Sequence, residues 1–410
     1  MNKSMDVKLA EIRANRDSKA FIIADAKDAD MAFGIASPGP ASPEMYHMGQ
    51  RYRSMEEFRE KIREIVRQGA VDIMLMSAST NELLTIKERL FDNSHITPAA
   101  RANDTTDIHV IQGGVYVSQP SRPFRTATID HIQCGRVECK PGDRAMGADL
   151  GLYSVTFNND LDRDIETLQR FKEFRLEAEA KGFRYFLEVF DPNAPQGLDA
   201  EKIPRFVNDH IVRALAGVTE RGRPLFLKMV YHGPKAMEEL AHYDSSLIIG
   251  VLGGSAGTTY DAFKLIAETQ KYGGRVALFG RKINNAENQL AFIRFLRLIV
   301  DGAISPEEAV KAYHGVLQEM KITPNRSLDD DMKLTTPYMS YSGSSSVTVP
   351  VAVQSGGAPT AKPASTPATP GAAAAPSSQP RRGRELPDFD KMTPAEKIAW
   401  NQQERDRVFD

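Results

Sequence analysis

Cysteine is all but missing from this chain of 410 residues: Cys134 and Cys139 are the only two. That is too few for a disulfide framework. Their C-x4-C spacing has neither a second cysteine pair nor a histidine cluster to complete a zinc site, so packed, inert thiols are expected and a metal centre is not. Tryptophan occurs once, at Trp400. No apolar run approaches the roughly 20 residues needed to span a bilayer. The start, Met1-Asn2-Lys3-Ser4-Met5-Asp6, leads into a polar helix rather than a signal sequence. A formal net charge of −2 gives no drive toward nucleic acid or an anionic membrane surface. A cytoplasmic protein is the expectation, and with 41% hydrophobic and 26% charged residues its folded part has enough apolar material for a sizeable core.

What is present is alternation. Strand-like segments run from Phe21 to Asp25, Val71 to Met76, Leu150 to Thr156, Arg184 to Phe190, Leu225 to Val230, Leu247 to Leu252 and Arg275 to Gly280, with a weaker one from Arg125 to Asp130. Helical patterns lie at Met55 to Gln68, Leu161 to Lys181, Glu201 to Val218, Pro234 to Ala241, Thr258 to Tyr272, Ala286 to Val300 and Pro306 to Met320. Eight strands alternating with helices predict an α/β protein, a (β/α)8 TIM barrel over residues 1–328. Between Asn93 and Gly147, Pro, Arg and Gly interrupt the pattern, leaving room for an insertion or a hairpin. Residues 329–390 turn to Ser, Gly, Ala, Pro and Thr, most purely from Ser340 to Pro380, with too little apolar surface to offset the entropy of ordering; a disordered linker is expected. The stretch 391–410 reads as a short C-terminal helix opening on the capping pattern Thr393-Pro394-Ala395-Glu396. That helix either docks on its own barrel or recruits a protein partner through Trp400.

Lys228 stands inside the apolar run Leu225-Phe226-Leu227-Lys228-Met229-Val230. A lysine in a buried strand must find a carboxylate or give up its proton and become a nucleophile. Side chains alternate along a strand, so Phe226, Lys228 and Val230 share one face, as do Phe186, Glu188 and Phe190 on the preceding strand. Glu188 and Lys228 are therefore expected to meet inside the barrel, either as a structural ion pair or as a proton-shuttling pair. Asp25, taken at the end of the first strand, is expected to point inward too, with Lys27, Asp28 and Asp30 as substitutes. Asp191 and Tyr231 are weaker candidates. Two glycine turns, Gly253-Gly254-Ser255 and Gly280-Arg281, end consecutive strands and offer backbone N–H groups and a fixed cation for a phosphate.

In this order the residues resemble the class I aldolase superfamily, which includes archaeal-type fructose-bisphosphate, tagatose-bisphosphate and deoxyribose-phosphate aldolases. The segment Leu227-Lys228-Met229-Val230-Tyr231-His232-Gly233-Pro234-Lys235 is similar to the archaeal-type sixth strand, whose lysine forms the Schiff base. Val251-Leu252-Gly253-Gly254-Ser255 and Phe279-Gly280-Arg281 resemble its phosphate turns, and Phe186-Leu187-Glu188-Val189 resembles the tagatose-bisphosphate fifth strand, where the glutamate is catalytic. This chain departs at Asp25-Ala26-Lys27, where the archaeal type reads Asp-His-Gly, at the fifth strand, which has no tyrosine acid, and at the seventh, which has no lysine.

The resemblance implies a metal-independent, cofactor-free class I aldolase-like lyase acting on a phosphorylated sugar. Lys228 would be the Schiff-base residue, Glu188 and Asp25 the proton carriers, and Gly253, Gly254, Ser255, Gly280 and Arg281 the phosphate site. The other readings are a Schiff-base transaldolase- or thiolase-like transferase, a dehydratase, and a non-catalytic scaffold or sugar-phosphate-binding barrel with a C-terminal docking helix. No nucleic-acid or membrane partner is expected, and a homo-oligomer is left open.

Overall fold

A computed structural model describes residues 2–15, 17–42, 52–254, 257–335, 393 and 396. Among these, eight parallel strands close into a barrel in the order β1-β10-β9-β8-β7-β6-β3-β2. They are β1 (Ile22–Lys27), β2 (Ile73–Met76), β3 (Thr97–Arg101), β6 (Leu150–Thr156), β7 (Arg184–Phe190), β8 (Leu227–Met229), β9 (Gly250–Leu252) and β10 (Val276–Phe279). The predicted (β/α)8 architecture is the observed one.

Two cores follow from the alternation of side chains. Inside the barrel, Ile22, Ala24, Ile73, Leu75, Ala99, Leu150, Leu152, Phe186, Phe226, Val276 and Leu278 pack together. The helix α1 (Ser4–Ala14) adds Met5, Leu9 and Ile12 to this inner cluster and so stoppers the end of the barrel where the strands begin. Outside, residues of opposite parity such as Ile23, Met74, Leu187, Leu227, Val251 and Ala277 meet the surrounding helices. Those helices include α2 (Met55–Gln68), begun by a Ser54/Glu57 capping box and ended by Gly69 in the left-handed region.

The third barrel strand departs from expectation. It is β3, not the stretch from Arg125 to Asp130, which instead leads into the short Thr128-capped helix α4 (Ile129–Cys134) that follows α3 (Ala78–Asn81). The sequence Thr97-Pro98-Ala99-Ala100-Arg101 has little of the β-branched and aromatic bulk that marks a strand, and Pro98 argues against a central one. It forms because all five residues are buried between β2 and β6. The interrupted region does contain a hairpin: β4 (Asp104–Thr105) pairs antiparallel with β5 (Pro123–Phe124).

The expectation of separate inert thiols is corrected as well. Helix α4 ends at Gly135, whose φ of 73° turns the chain back, and Cys139 returns to form a disulfide with Cys134.

Along the second half of the chain lie α5 (Leu161–Ala180), α6 (Ile203–Ala216), α7 (Pro234–Tyr243), α8 (Thr259–Lys271), α9 (Arg281–Asn284), α10 (Gln289–Val300), α11 (Pro306–Glu319) and α12 (Leu328–Asp331). Residues 328–335 pack back onto the start of α8: Asp331 Oδ1 accepts the Thr259 N–H at 2.7 Å, and Thr335 donates to Asp261. The expected linker 329–390 is therefore corrected at its start, where residues 329–335 belong to this packed segment; its remainder, from residue 336 on, and most of the expected helix 391–410 lie outside the described residues. Thr393 and Glu396 make the reciprocal hydrogen bonds of the expected capping box.

Candidate active site

Strands β7 and β8 place Glu188 and Lys228 directly opposite each other in register. Phe186 and Phe226, one inward position earlier on each strand, stack at 4.6 Å below them. Phe190 and Val230, one inward position later, join Ile108 and Leu252 in an apolar layer above. Between these layers Lys228 Nζ lies 2.6 Å from Glu188 Oε1, with both side chains buried. The other carboxylate oxygen accepts Ser154 Oγ–H at 2.7 Å, from the register partner of Glu188 on β6. Asn103 fixes that serine by bonding its backbone on both sides, at 2.6 and 2.8 Å.

Arg101 extends the line of charges. From the end of β3 its Nε donates to Asp28 Oδ2 at 2.5 Å, and its Nη atoms lie 3.6 Å from Asp104 Oδ1 and 3.8 Å from Glu188 Oε2. Burial opposes the charge on Arg101, but Asp28, Asp104 and Glu188 together hold its pKa above the ordinary value. Burial pushes Asp104 up to about 7 despite the neighbouring Arg101. The site thus alternates in sign, Asp28–Arg101–Glu188–Lys228, across the barrel mouth at the strands' carboxyl ends, where barrel enzymes place their chemistry.

Sequence reasoning missed Arg101. The signal was the one used for Lys228, a charge in an apolar strand, but β3 itself was not recognised.

Asp25 is not part of this line. Ile22, Ala24 and Ala26 point inward, so Asp25 shares the opposite face with Ile23 and is buried against the helices. The strand continues to Lys27, two residues past Asp25, so the barrel mouth is reached by Asp28, one of the substitutes considered from the sequence. Asp25 Oδ2 lies 3.2 Å from Lys27 Nζ, which donates to Gln289 Oε1 on α10 at 3.1 Å. Burial raises the Asp25 carboxyl to about 6 and lowers the Lys27 ammonium. Replacing Asp25 with asparagine is therefore expected to lower stability by about 3 kcal/mol, because it leaves Lys27 as a buried ion with a neutral partner. Chemistry at Lys228 should be unchanged. Urea unfolding beside an activity assay checks both, and loss of activity in a folded Asp25→Asn protein would return Asp25 to the site.

Gly253, Gly254, Gly280 and Arg281 line a cavity with Lys228, Glu188, Arg101 and Asp28. Two of these glycines are required by space: a Cβ on Gly253 would sit 2.1 Å from the Phe279 ring, and one on Gly280 would sit 2.7 Å from the Ala26 carbonyl oxygen. Ser255 lies outside the described residues. The N-terminus of α8 is taken up by carboxylates. Asp261 caps the Thr258 N–H at 2.7 Å, and Asp331 takes that of Thr259. An anion here would depend on the Gly253-Gly254 and Gly280-Arg281 turns. Of the weaker candidates, Asp191 pairs with His232 at 2.8 Å, and Tyr231 faces the outer layer, donating to Glu268 on α8. Among the described residues no cluster of three or more His, Cys, Asp or Glu side chains could hold a metal, and no helix is long and apolar enough to cross a membrane.

The closed parallel barrel has counterparts among solved structures. An archaeal fructose 1,6-bisphosphate aldolase matches with a TM-score of 0.50 at 15% identity, over 72% of this chain and 99% of that one. A Schiff-base-forming fructose-1,6-bisphosphate aldolase matches with a TM-score of 0.50 at 16% identity, over 72% and 98%. The fructose-bisphosphate aldolase from Slackia heliotrinireducens DSM 20476 reaches 0.54 at 13% identity, over 76% and 91%. At these identities the likeness is one of fold, and the fold is that of the group the sequence resembles. No family model and no curated protein matches the chain.

Proposed function

We propose that the chain is a Schiff-base, metal-independent lyase that makes or breaks a carbon–carbon bond in a phosphorylated carbonyl compound. The observation that carries this reading is the enclosed Lys228–Glu188 pair at 2.6 Å, opening on the same cavity as the two glycine turns. Glu188 takes a proton from the Lys228 ammonium, and the free amine adds to the substrate carbonyl. The carbinolamine loses water, with Glu188 returning the proton to the departing oxygen, and an iminium forms. Cleavage of the adjacent C–C bond sends its electron pair into the iminium to give an enamine. The hydroxyl proton of the leaving aldehyde fragment passes to a carboxylate, Glu188 or Asp28. Protonation of the enamine carbon and hydrolysis free the second product and restore Lys228. Ser154 and Arg101 hold Glu188 in place through these steps, and Arg101 supplies a positive charge that does not titrate in the working range.

The decisive measurement is borohydride trapping with carbonyl phosphates, followed by peptide mass spectrometry. The expected result is a reduced, substrate-sized adduct on Lys228. A folded protein that gives no adduct with any of them would make Glu188–Lys228 a structural ion pair and favour a non-catalytic binding barrel.

A further inference from the structure

Beside the Glu188–Lys228 pair the barrel mouth holds a second pair of titratable groups, Asp104 and His109. Asp104 opens β4, and its Oδ1 accepts the Thr105 N–H at 3.0 Å and lies 3.6 Å from Arg101 Nη1. The other oxygen, Oδ2, lies 3.9 Å from His109 Nδ1. The carboxylate is enclosed, with 2% of its side chain exposed, whereas the imidazole is 34% exposed. Phe124 meets the imidazole edge to face at 5.2 Å, and Tyr116 lies tilted at 6.0 Å, so the ring is held beside the carboxylate by packing.

A line therefore runs inward from a part-exposed side chain: His109, Asp104, Arg101, Glu188 and Lys228, with successive separations of 3.9, 3.6, 3.8 and 2.6 Å. Arg101 is its shared cation. Nε is held by Asp28, Nη1 faces Asp104 and Nη2 faces Glu188. Burial pushes the Asp104 carboxyl up to about 7, so its charge changes in the neutral range. The charged and titratable groups that face it are Arg101 from β3, Asp28 from the turn after β1, and Asp107 and His109 from the loop after β4. Of the strands packed on β4, β5 is Pro123-Phe124, and the one ionisable residue of β6, Tyr153, stacks on Phe174 in the outer layer.

We propose that Asp104 and His109 are positioning residues that set, through Arg101, how readily Glu188 takes the proton of Lys228. The inference rests on the Schiff-base reading above and deepens it by naming what regulates the proton acceptor. With Asp104 a carboxylate and His109 neutral, Asp104 competes with Glu188 for the guanidinium, and Glu188 is the stronger base toward the Lys228 ammonium. With Asp104 protonated, or its charge matched by an imidazolium, Arg101 stays with Glu188 and the amine is released less readily. One charge gained at this spacing in a buried site changes a proton-transfer equilibrium by about tenfold. Imidazole and carboxyl titrate as a pair, and the site becomes more active as that pair loses its last proton.

The test measures the initial rate of reductive labelling of Lys228 in the full chain, with acetol phosphate as carbonyl probe and peptide mass spectrometry as readout, between about pH 6 and about pH 8.5. The same rates are measured for Asp104→Asn, so that the effect of pH on probe and reductant cancels in the ratio. The expected ratio of native to variant rate rises at least about threefold from the lower to the higher pH. His109→Gln, on a part-exposed side chain, tests the pair independently. It has no imidazolium to match Asp104, so its rise should come at lower pH than that of the native chain. A native-to-Asp104→Asn ratio independent of pH, or a His109→Gln profile that coincides with the native one, would overturn this inference and leave the Schiff-base reading standing. No labelling of Lys228 in a folded protein, by acetol phosphate or by any other carbonyl phosphate, would overturn both.

Discussion

Replacing Lys228 with methionine will abolish borohydride trapping and lower turnover by at least about 10⁴-fold, since among the described residues no other side chain lining the cavity can form the iminium. Methionine keeps much of the volume between the two apolar layers, so packing is largely conserved. The cost to stability is set by Glu188, which loses its nearest cation. Removing one partner of a buried pair typically costs about 3–5 kcal/mol. Here Arg101, 3.8 Å from the same carboxylate, and the Ser154 hydroxyl remain, so about 1–3 kcal/mol is expected. Activity and urea unfolding measured on one preparation separate the two effects. A folded Lys228→Met protein with a tenth or more of the original turnover would end the Schiff-base mechanism.

Arg101→Leu should be the most destabilising single change in the site. It strands Asp28, Asp104 and Glu188 together without the guanidinium that all three face, and a loss of about 3–5 kcal/mol near neutral pH follows. The loss should depend on pH with a definite sign. A carboxyl whose folded pKa lies above its unfolded value contributes stability that is fully present below the unfolded value and disappears as pH rises through the folded one. Asp104 already behaves this way, raised to about 7 with Arg101 in place. Without the arginine, Asp104 loses the charge that holds it down and moves further in that direction. The deficit of the variant should therefore be smallest near pH 5 and largest above about pH 8. Denaturant unfolding at those two pH values measures it, and a deficit independent of pH would mean that Arg101 acts through packing rather than charge.

The legibility of the site in the sequence was uneven for physical reasons. Glu188 and Lys228 could be read because both sit in apolar runs of six or seven residues, Arg184–Phe190 and Leu225–Val230, where a period of two fixes the face and a charge stands out. Seven of the eight strands share that character, and so the barrel could be read as well. The third does not: Thr97-Pro98-Ala99-Ala100-Arg101 is held by burial between its neighbours, a property of the closed sheet that local residue preference does not carry. With that strand went Arg101, the residue that ties Asp28 to Glu188. Asp25 was misplaced by a small error of a different kind. The face was taken wrongly: Ile22, Ala24 and Ala26 point inward, so Asp25 and Lys27 lie behind the sheet, and the strand's extension to Lys27 leaves Asp28 at the mouth. The Cys134–Cys139 bridge depends on the left-handed turn at Gly135 and a long excursion after β3, neither of which has a periodic signal. The glycine turns and the Thr258–Asp261 capping box of α8 are local and legible, but the second carboxylate at the start of that helix comes from Asp331, far along the chain.

Barrel closure has a consequence for how this chain is made. The register pairs Ile22 with Val276, so the first strand waits for the last across more than half of the sequence. At a synthesis rate of about 5–20 residues per second, that interval is on the order of 10–50 s. Throughout it β1 can pair along one side only, and an unpaired strand edge invites association with other chains. The strand that waits carries Asp25 and Lys27 among its apolar residues. Until Gln289 arrives and the sheet closes over them, burying either side chain in a foreign strand would mean stripping water from an ion without its native surroundings. The same two charges, which lie behind the sheet and away from the mouth, thus disfavour mispairing on the ribosome.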